Sequence, residues 1–560
     1  MRSSAPLRSI DKQVYVRGGS RGTFSAAAIL LCIAAVAASL ALPAGFAGWD
    51  DLHYLEAAQR WLTEGVHVPA NHWATRLPYV LTLAASLRLF GVSDFALTVP
   101  NTILFGIMLL LLWRIAAMLP RKRTAFCSGL VAAATPLFFR MPTTYYPEVM
   151  EVVLAAGATV LTLSALAPDP GRDPAMAGAP ARRPGSSRTI WLLAAGLCGG
   201  VGILVRQTAL SVPVALSVLI LLTDRAAAGR LDWRRSGLGV LLLATGYAVP
   251  VVLECLFYMV MTGHPLERFA IDSRHVLIWS AHMRGNTFTG GSPLFNWKLA
   301  ARWDVPSLIR VHWTINPLLR VFVAPIMLLT PWFCVAGGVL AARMGGFARI
   351  YAIFAAVGFM AQYVLNTFVL VIAPDTRYFS VGVALAIPLA GLLLASLPRA
   401  RSVAVAALLL VAPCLLVVPL EPLPAHMMPG LQRFLSFHDT APGRPPDDGA
   451  VYVSPYVMDA ATILFANQPD LARRAERFTS PDQIPVGALA VVDAFDWEGT
   501  DLRQRCPGQG PKWQTVDTAT RPSIYWRVLQ GAGLARHVPG AVARPLEREK
   551  DRLTLVRRAC

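Results

Sequence analysis

The sequence predicts an α-helical polytopic membrane protein of about 11 transmembrane helices with a small C-terminal α/β domain outside the membrane. Three observations predict it. Of 560 residues, 55% are hydrophobic and only 15% charged, against about a quarter charged in soluble domains. The apolar residues fall in long runs, many close to the ~20 residues that cross ~30 Å of hydrocarbon. The Lys and Arg behind the net charge of +18 gather in short loops between those runs. Membrane orientation therefore explains the charge, and nucleic acid is not an expected partner.

The elements follow in order. Residues 1–23 form a polar, basic tail (Arg2, Arg8, Lys12, Arg17, Arg21) expected in the cytoplasm. The apolar run 24–47 is long enough to span and too long for a signal-peptide core, so it reads as an uncleaved first helix. Residues 48–95 are amphipathic. Leu55, Ala58, Trp61 and Leu62 recur at helical spacing between Glu56, Gln59, Arg60 and Glu64, which suits a helix lying in the interface. Pro69 and Pro78 interrupt it, and 79–90 is a second short amphipathic piece ended by Gly91.

Further spans are expected near 96–118, 124–140, 148–167, 190–205, 207–223, 237–261, 320–341, 350–373, 379–397 and 402–420, with Arg206 and Gln207 dividing one pair. Loop charge supports this count. With the N-terminus inside, each inner loop is basic: Arg121-Lys122-Arg123; Arg172, Arg182, Arg183 and Arg188; Arg225, Arg230, Arg234 and Arg235; Arg343 and Arg349; Arg399 and Arg401. One miscounted helix would reverse every later loop. The membrane domain then covers 24–420, with outer loops 48–95 and 262–319, and 421–560 is the extracytoplasmic domain. Strand-like runs at 450–454, 488–493, 523–528 and 553–556 and a helical run at 458–467 mark the latter as α/β. It holds Cys506 and Cys560, which can pair in an oxidising compartment or remain free thiols. The other six cysteines lie in or beside apolar runs as small core residues.

The distinctive polar residues collect on the outer side. Gly48-Trp49-Asp50-Asp51-Leu52-His53-Tyr54-Leu55-Glu56 stands where the first helix leaves the bilayer. Adjacent carboxylates push one pKa upward, one way to prepare a base, although solvation also explains acids at a helix exit. Glu148 and Glu151 follow Pro147, where a helix start favours carboxylates. Cations on this side are Arg76, Arg140, Arg206, Arg268, Arg274 and Arg377. Aromatics are Trp49, Tyr54, Tyr79, Tyr145, Tyr146, Trp279 and Tyr378. Acids that activate a hydroxyl beside Arg side chains that hold phosphate suit transfer from a lipid-linked phosphate. Interfacial anchoring explains individual aromatics equally well. No metal-ligand spacing is present, and His264, His275, His282 and His312 read as solvated.

Four stretches carry a family resemblance. Asp50-Asp51-Leu52-His53-Tyr54-Leu55-Glu56 is similar to an Asp-Glu-x-Arg-Tyr-x-Glu first-loop motif. Arg76-Leu77-Pro78-Tyr79 with Leu89-Phe90-Gly91-Val92-Ser93 resembles a Lys-Pro-Pro-Leu and Leu-Phe-Gly-Val-Ser signature. Tyr145-Tyr146-Pro147-Glu148 resembles a second-loop acid segment. Thr376-Arg377-Tyr378 with Ala386-Ile387-Pro388 resembles a late Arg-Tyr…Pro helix. Together, over 24–420, the chain resembles the GT-C class of membrane glycosyltransferases, in the branch of protein O-mannosyltransferases and bacterial aminoarabinose and galacturonic acid transferases.

The resemblance implies inverting transfer of a sugar from a polyprenyl-phosphate donor to an acceptor hydroxyl on a lipid, glycan or protein, at the outer face of an inner membrane. Asp50 matches the catalytic acid, with Asp51 open as its alternative and Glu148 as the second-loop acid. His53, Arg76, Arg377 and Tyr378 match positions that hold the donor phosphate, with His53 standing for Arg and Arg76 for Lys. Tyr54, Glu56, Glu151 and Arg206 are further candidates. No metal or cofactor is required by this scheme. A transporter or flippase of lipid-linked sugars would use the same cations without a base, and a non-catalytic scaffold would not depend on Asp50.

Overall fold

The computed structural model describes residues 26–41, 46, 50–167, 185–273, 316–324, 326–327, 329–370, 376–398, 401, 428–436, 450–478, 480–493, 505–506, 511–519, 530–531, 533–537 and 553–560. The expected span 402–420, the strand at 523–528, and Trp49, Arg274, His275, Trp279, His282 and His312 lie outside the described residues.

The helices before the C-terminal domain are α1 (Ala26–Ala41), α2 (Asp50–Glu64), α3 (Leu77–Phe90), α4 (Asp94–Ala116), α5 (Thr124–Ala134), α6 (Pro136–Arg140), α7 (Glu148–Leu166), α8 (Gly185–Val205), α9 (Ser211–Ala228), α10 (Trp233–Thr262), α11 (Asn316–Val323), α12 (Thr330–Met344), α13 (Gly346–Val364) and α14 (Ser380–Ser396). Among the described residues, seven helical stretches are long and apolar enough to cross a membrane, or eight if the bent α5–α6 pair is one span. The predicted count of about 11 is therefore not reached here. The expected span 320–341 is divided into α11 and α12. The span 124–140 bends by 65° at Thr135, where Pro136 opens α6. A proline lacks the N–H that would continue the α5 ladder, and the residue before it leaves the helical region. The described part of the first helix, α1, has 16 residues.

Residues 50–92 are not a span. Asp50 and Asp51 occupy the first turn of α2, where carboxylates meet the positive end of the helix dipole. One face of α2 and α3 packs into a cluster with Phe46, Tyr145, Met150 and Val205. The main core joins α4, α5, α7 to α9 and α12 to α14.

Helices α8 and α10 bring their backbones into close approach. A Cβ on Gly196 would fall on the Leu243 carbonyl oxygen, and one on Gly246 on the Leu193 carbonyl oxygen. Hydrocarbon gives helices no hydrophobic reason to associate, so small residues that let backbones touch become the driving contact.

Two ionic clusters mark the ends of α8. At its start Arg188 makes two bonds to Asp224 of α9, with Ser236 of α10 donating to the same carboxylate at 3.1 Å. At its end Arg206 meets α7. Eighteen residues of helix put these about 27 Å apart, close to the hydrocarbon thickness.

The C-terminal residues form a five-stranded sheet of β1 (Val451–Val453), β2 (Ala475–Arg477), β3 (Leu489–Asp493), β4 (Trp513–Ala519) and β5 (Leu553–Arg558), in the order β2-β1-β3-β5-β4. β1 is parallel to β2 and β3, whereas β5 is antiparallel to β3 and β4. Parallel β1 and β2 need a crossover, supplied by three short helices, α16 (Pro455–Ala460), α17 (Thr462–Asn467) and α18 (Pro469–Arg474), after α15 (Met428–Leu435). The single helix expected at 458–467 is thus two. β2 and β4 were not expected: β2 is three mostly exposed residues, and β4 alternates weakly. Cys506 and Cys560 are joined in a disulfide that ties the chain end beside β4. Ile463 of α17 is buried in the same cluster as Tyr54 and Tyr79, so this domain rests on α2 and α3.

Candidate active site

Four helix ends converge: the starts of α2 and α7, the break after α8, and the turn Thr376–Phe379 that leads into α14. Arg377 reaches Asp50 at 2.9 Å and stands 3.8 Å from Glu148. Arg206 donates to Glu148 at 2.7 Å and lies 4.0 Å from Glu151. Its guanidinium carbon sits 4.2 Å from the Tyr378 ring centroid, and that of Arg377 lies 5.0 Å from Tyr146. Thr208 donates to Glu151. A second oxygen on each of Glu148 and Glu151 is buried without a hydrogen-bond partner among the described residues.

The local backbone explains this convergence. Arg206 is extended, with φ −162° and ψ 134°, so α8 stops there and resumes as one tight turn before α9. The break predicted at Arg206-Gln207 is present. It frees the last α8 carbonyls, and Arg268 donates to two of them, Ile203 at 3.2 Å and Leu204 at 3.1 Å, while gripping Glu254 at 2.7 and 2.9 Å. Helix-end carbonyls have no intrahelical donor and need one.

Asp50 and Asp51 face different surroundings. Asp51 is buried, at 3% exposure, and accepts from the Leu52 N–H. Asp50 keeps 28% of its side chain exposed. Burial pushes its carboxyl up, but the Arg377 and Arg76 guanidiniums outweigh burial, and hydrogen bonds from Arg377 and Trp73 add to them, leaving it at about 2. Arg76 is brought down to about 10 by burial and by the nearby Arg206, against the pull of Glu148 and Asp50. Arg76 also lies 5.4 Å over the fully buried Tyr54 ring, which itself packs edge-on to Tyr79.

The structure thus brings together Asp50, Glu148, Glu151, Arg76, Arg206, Arg377 and Tyr378, with Tyr54 beneath Arg76. It sets His53 and Glu56 apart. They pair at 3.3 Å on the exposed face of α2, and the His53 ring stacks on Trp73 at 4.1 Å. Sequence reasoning missed Trp73, Thr208 and Asp272. Asp272 accepts from Gln207 at 2.5 Å and Thr75 at 3.3 Å, tying the α8 break to the turn before α3. The one signal for Trp73 was its place three residues before Arg76. Among the described residues no group of three His, Cys, Asp or Glu side chains is arranged to hold a metal ion.

This arrangement sits within and beside a recognisable family segment. Residues 77–181 match the model of the dolichyl-phosphate-mannose-protein mannosyltransferase family. The chain's resemblance to GT-C membrane glycosyltransferases therefore stands on a matched segment that contains Glu148, Glu151 and Tyr146. Comparison with curated proteins gives no match. Among solved structures the chain is similar to ArnT from Cupriavidus metallidurans bound to undecaprenyl phosphate, with 14% identity over 94% of this chain and 97% of that one and a TM-score of 0.46. It is similar to the apo oligosaccharyltransferase of Archaeoglobus fulgidus, with 13% identity over 81% and 65% and a TM-score of 0.45. Arabinosyltransferase EmbB from Mycobacterium smegmatis gives 14% identity over 81% and 38% and a TM-score of 0.39.

Proposed function

We propose that the protein transfers a sugar from a polyprenyl-phosphate donor to an acceptor hydroxyl, with inversion, at the extracytoplasmic face of an inner membrane. The observation that carries this reading is the Arg377–Asp50 pair with Arg76 and Arg206 behind it: a carboxylate beside three guanidinium groups gathered at helix ends. A phosphate suits such a group of guanidiniums, because Arg binds it through paired N–H donors.

The donor phosphate draws Arg377 away from Asp50. Burial then acts on Asp50 with less opposition, and its carboxylate becomes more basic in the complex than in the free protein. The acceptor oxygen bonds to the sugar C1 as the C1–O bond to phosphate breaks. The electron pair of that bond leaves on the phosphate oxygen, where Arg377, Arg76 and Tyr378 meet the charge. The acceptor proton passes to the Asp50 carboxylate. Glu148 and Glu151 hold Arg206 in place from behind. The scheme uses no metal or cofactor.

The disulfide Cys506–Cys560 supports an oxidising compartment for the C-terminal domain. A cytoplasmic N-terminus is in keeping with the basic inner loops. The test is transfer from a panel of radiolabelled polyprenyl-phosphate sugars by the protein in nanodiscs. Transfer lost in Asp50→Asn supports the reading, and lipid movement across the bilayer without any transfer contradicts it.

A further inference from the structure

Residues 267–273 are helical and follow α10. They reach back across the end of α8. Arg268 is buried, grips Glu254 of α10, and donates to the freed carbonyls of Ile203 and Leu204. One turn on, a carboxylate oxygen of Asp272 lies 3.7 Å from the Arg268 Nε. The two oxygens of Asp272 serve two different segments. Oδ2 accepts from the Gln207 side-chain amide at 2.5 Å. Oδ1 lies 3.3 Å from the Thr75 hydroxyl, which shares its hydrogen with the His72 carbonyl at 2.8 Å. Gln207 and Thr75 are the chain neighbours of Arg206 and Arg76.

We infer that Asp272 is a positioning residue for Arg206 and Arg76, tying the α8 break to the turn before α3 so that both guanidiniums meet one phosphate. The inference rests on the phosphate-binding part of the transfer reading above. Arg206 is extended between two helical segments, so the helical ladder that fixes backbone elsewhere stops at it. Its N–H still bonds to the Gly202 carbonyl at 2.9 Å, which holds it from the α8 side. Gln207, anchored on Asp272, holds it from the other side. Arg76 precedes α3 with no side-chain cap on that helix, and the turn before it meets the same carboxylate through Thr75. One side chain, fixed to α8 and α10 through Arg268, thus sets the spacing of two arginine-bearing segments. Spacing matters because a guanidinium pair binds phosphate only when its N–H donors arrive together.

The test uses the full chain in nanodiscs. Its first arm is binding of farnesyl phosphate, with farnesol as the control that lacks the phosphate. Asp272→Ala should weaken farnesyl phosphate roughly 10-fold, the order set by one hydrogen bond to a charged group, and leave farnesol unchanged. In transfer, donor KM should rise with kcat held within about threefold, because the phosphate is held before and during transfer alike. A merely structural role would lower kcat with the folded fraction and leave KM in place. The second arm reverses the bond. Gln207→Glu sets two carboxylates against each other and should weaken farnesyl phosphate. Adding Asp272→Asn restores the net charge and lets the new amide donate the other way, which should return binding to within about threefold of wild type. This pair decides the matter even where Asp272→Ala does not fold. Unchanged farnesyl phosphate binding in Gln207→Glu, a double variant no better than Gln207→Glu, or an equal loss of farnesol binding overturns the inference. A wild type that binds farnesyl phosphate but transfers no sugar overturns the transfer reading alone.

Discussion

Arg377 and Asp50 meet at 2.9 Å, joining the turn before the last described membrane helix to the first turn of α2. Under the proposed transfer, the contact makes each residue the other's regulator: Arg377 cannot grip a phosphate fully while it holds Asp50, and Asp50 is a poor base while Arg377 holds it.

The first prediction concerns pH. Asp50 titrates at about 2 in the free protein, below the ordinary value of about 3.9. A lowered carboxyl stabilises the fold above its unfolded value and loses that contribution as pH falls toward 2. So kcat/KM, which reports the free enzyme, should show no acid limb from Asp50 above about pH 4. In the donor complex Arg377 is engaged elsewhere, and the acid limb of kcat should lie at higher pH. Arg377→Gln should move the kcat/KM limb upward as well. Rate profiles from pH 4 to 9 check both, and coincident limbs would count against the exchange.

The second prediction separates the buried acids from the exposed one. Glu148→Gln leaves Arg206 buried with its pairing weakened, and removing one partner of a buried pair costs about 3–5 kcal/mol. The variant should lose thermal stability in nanodiscs and bind donor more weakly. Arg206→Lys should behave similarly, because Lys offers neither the planar fork nor the stack on Tyr378. Thermal unfolding midpoints and donor KM report this.

The third prediction tests the α8–α10 seam. Gly246→Leu drives a side chain onto the α8 backbone. Overpacking typically costs about 1–3 kcal/mol, and backbone has little room to yield. Loss of folded yield is expected, while Gly237→Leu, where nothing stands within 4 Å, should be tolerated.

The fourth concerns the C-terminal domain. Cys506 and Cys560 close a loop with a sequence separation of 54, and such a disulfide stabilises by about 2–4 kcal/mol. The Cys506→Ser, Cys560→Ser double variant should be cut faster by protease within 505–560, with the membrane core unchanged.

Much of this was legible in the sequence, and the reasons are specific. The runs that became α4, α7, α8, α9, α10, α13 and α14 are long and apolar, and hydropathy alone finds them. The break at Arg206 was visible because two polar residues interrupt a continuous run. Asp50, Glu148, Arg76 and Arg377 stood out as charge at helix ends. What the sequence hid were contacts made by turns. Trp73 lies in an irregular segment with no periodicity, and its place against His53 and His72 depends on the turn that Asn71 and Thr75 close. The division of 320–341 was hidden because its two pieces read as one apolar run. β2 and β4 were hidden because short, exposed or irregular strands lack alternation.

The measurement that tests the central claim most directly is donor binding and transfer in the same nanodisc sample, comparing wild type with Asp50→Asn. The account predicts that Asp50→Asn binds a polyprenyl-phosphate sugar at least as tightly as wild type, because Arg377 is released, while transfer falls by roughly 10²- to 10⁴-fold. Retained transfer in Asp50→Asn, or loss of donor binding with transfer lost only in proportion, would contradict it.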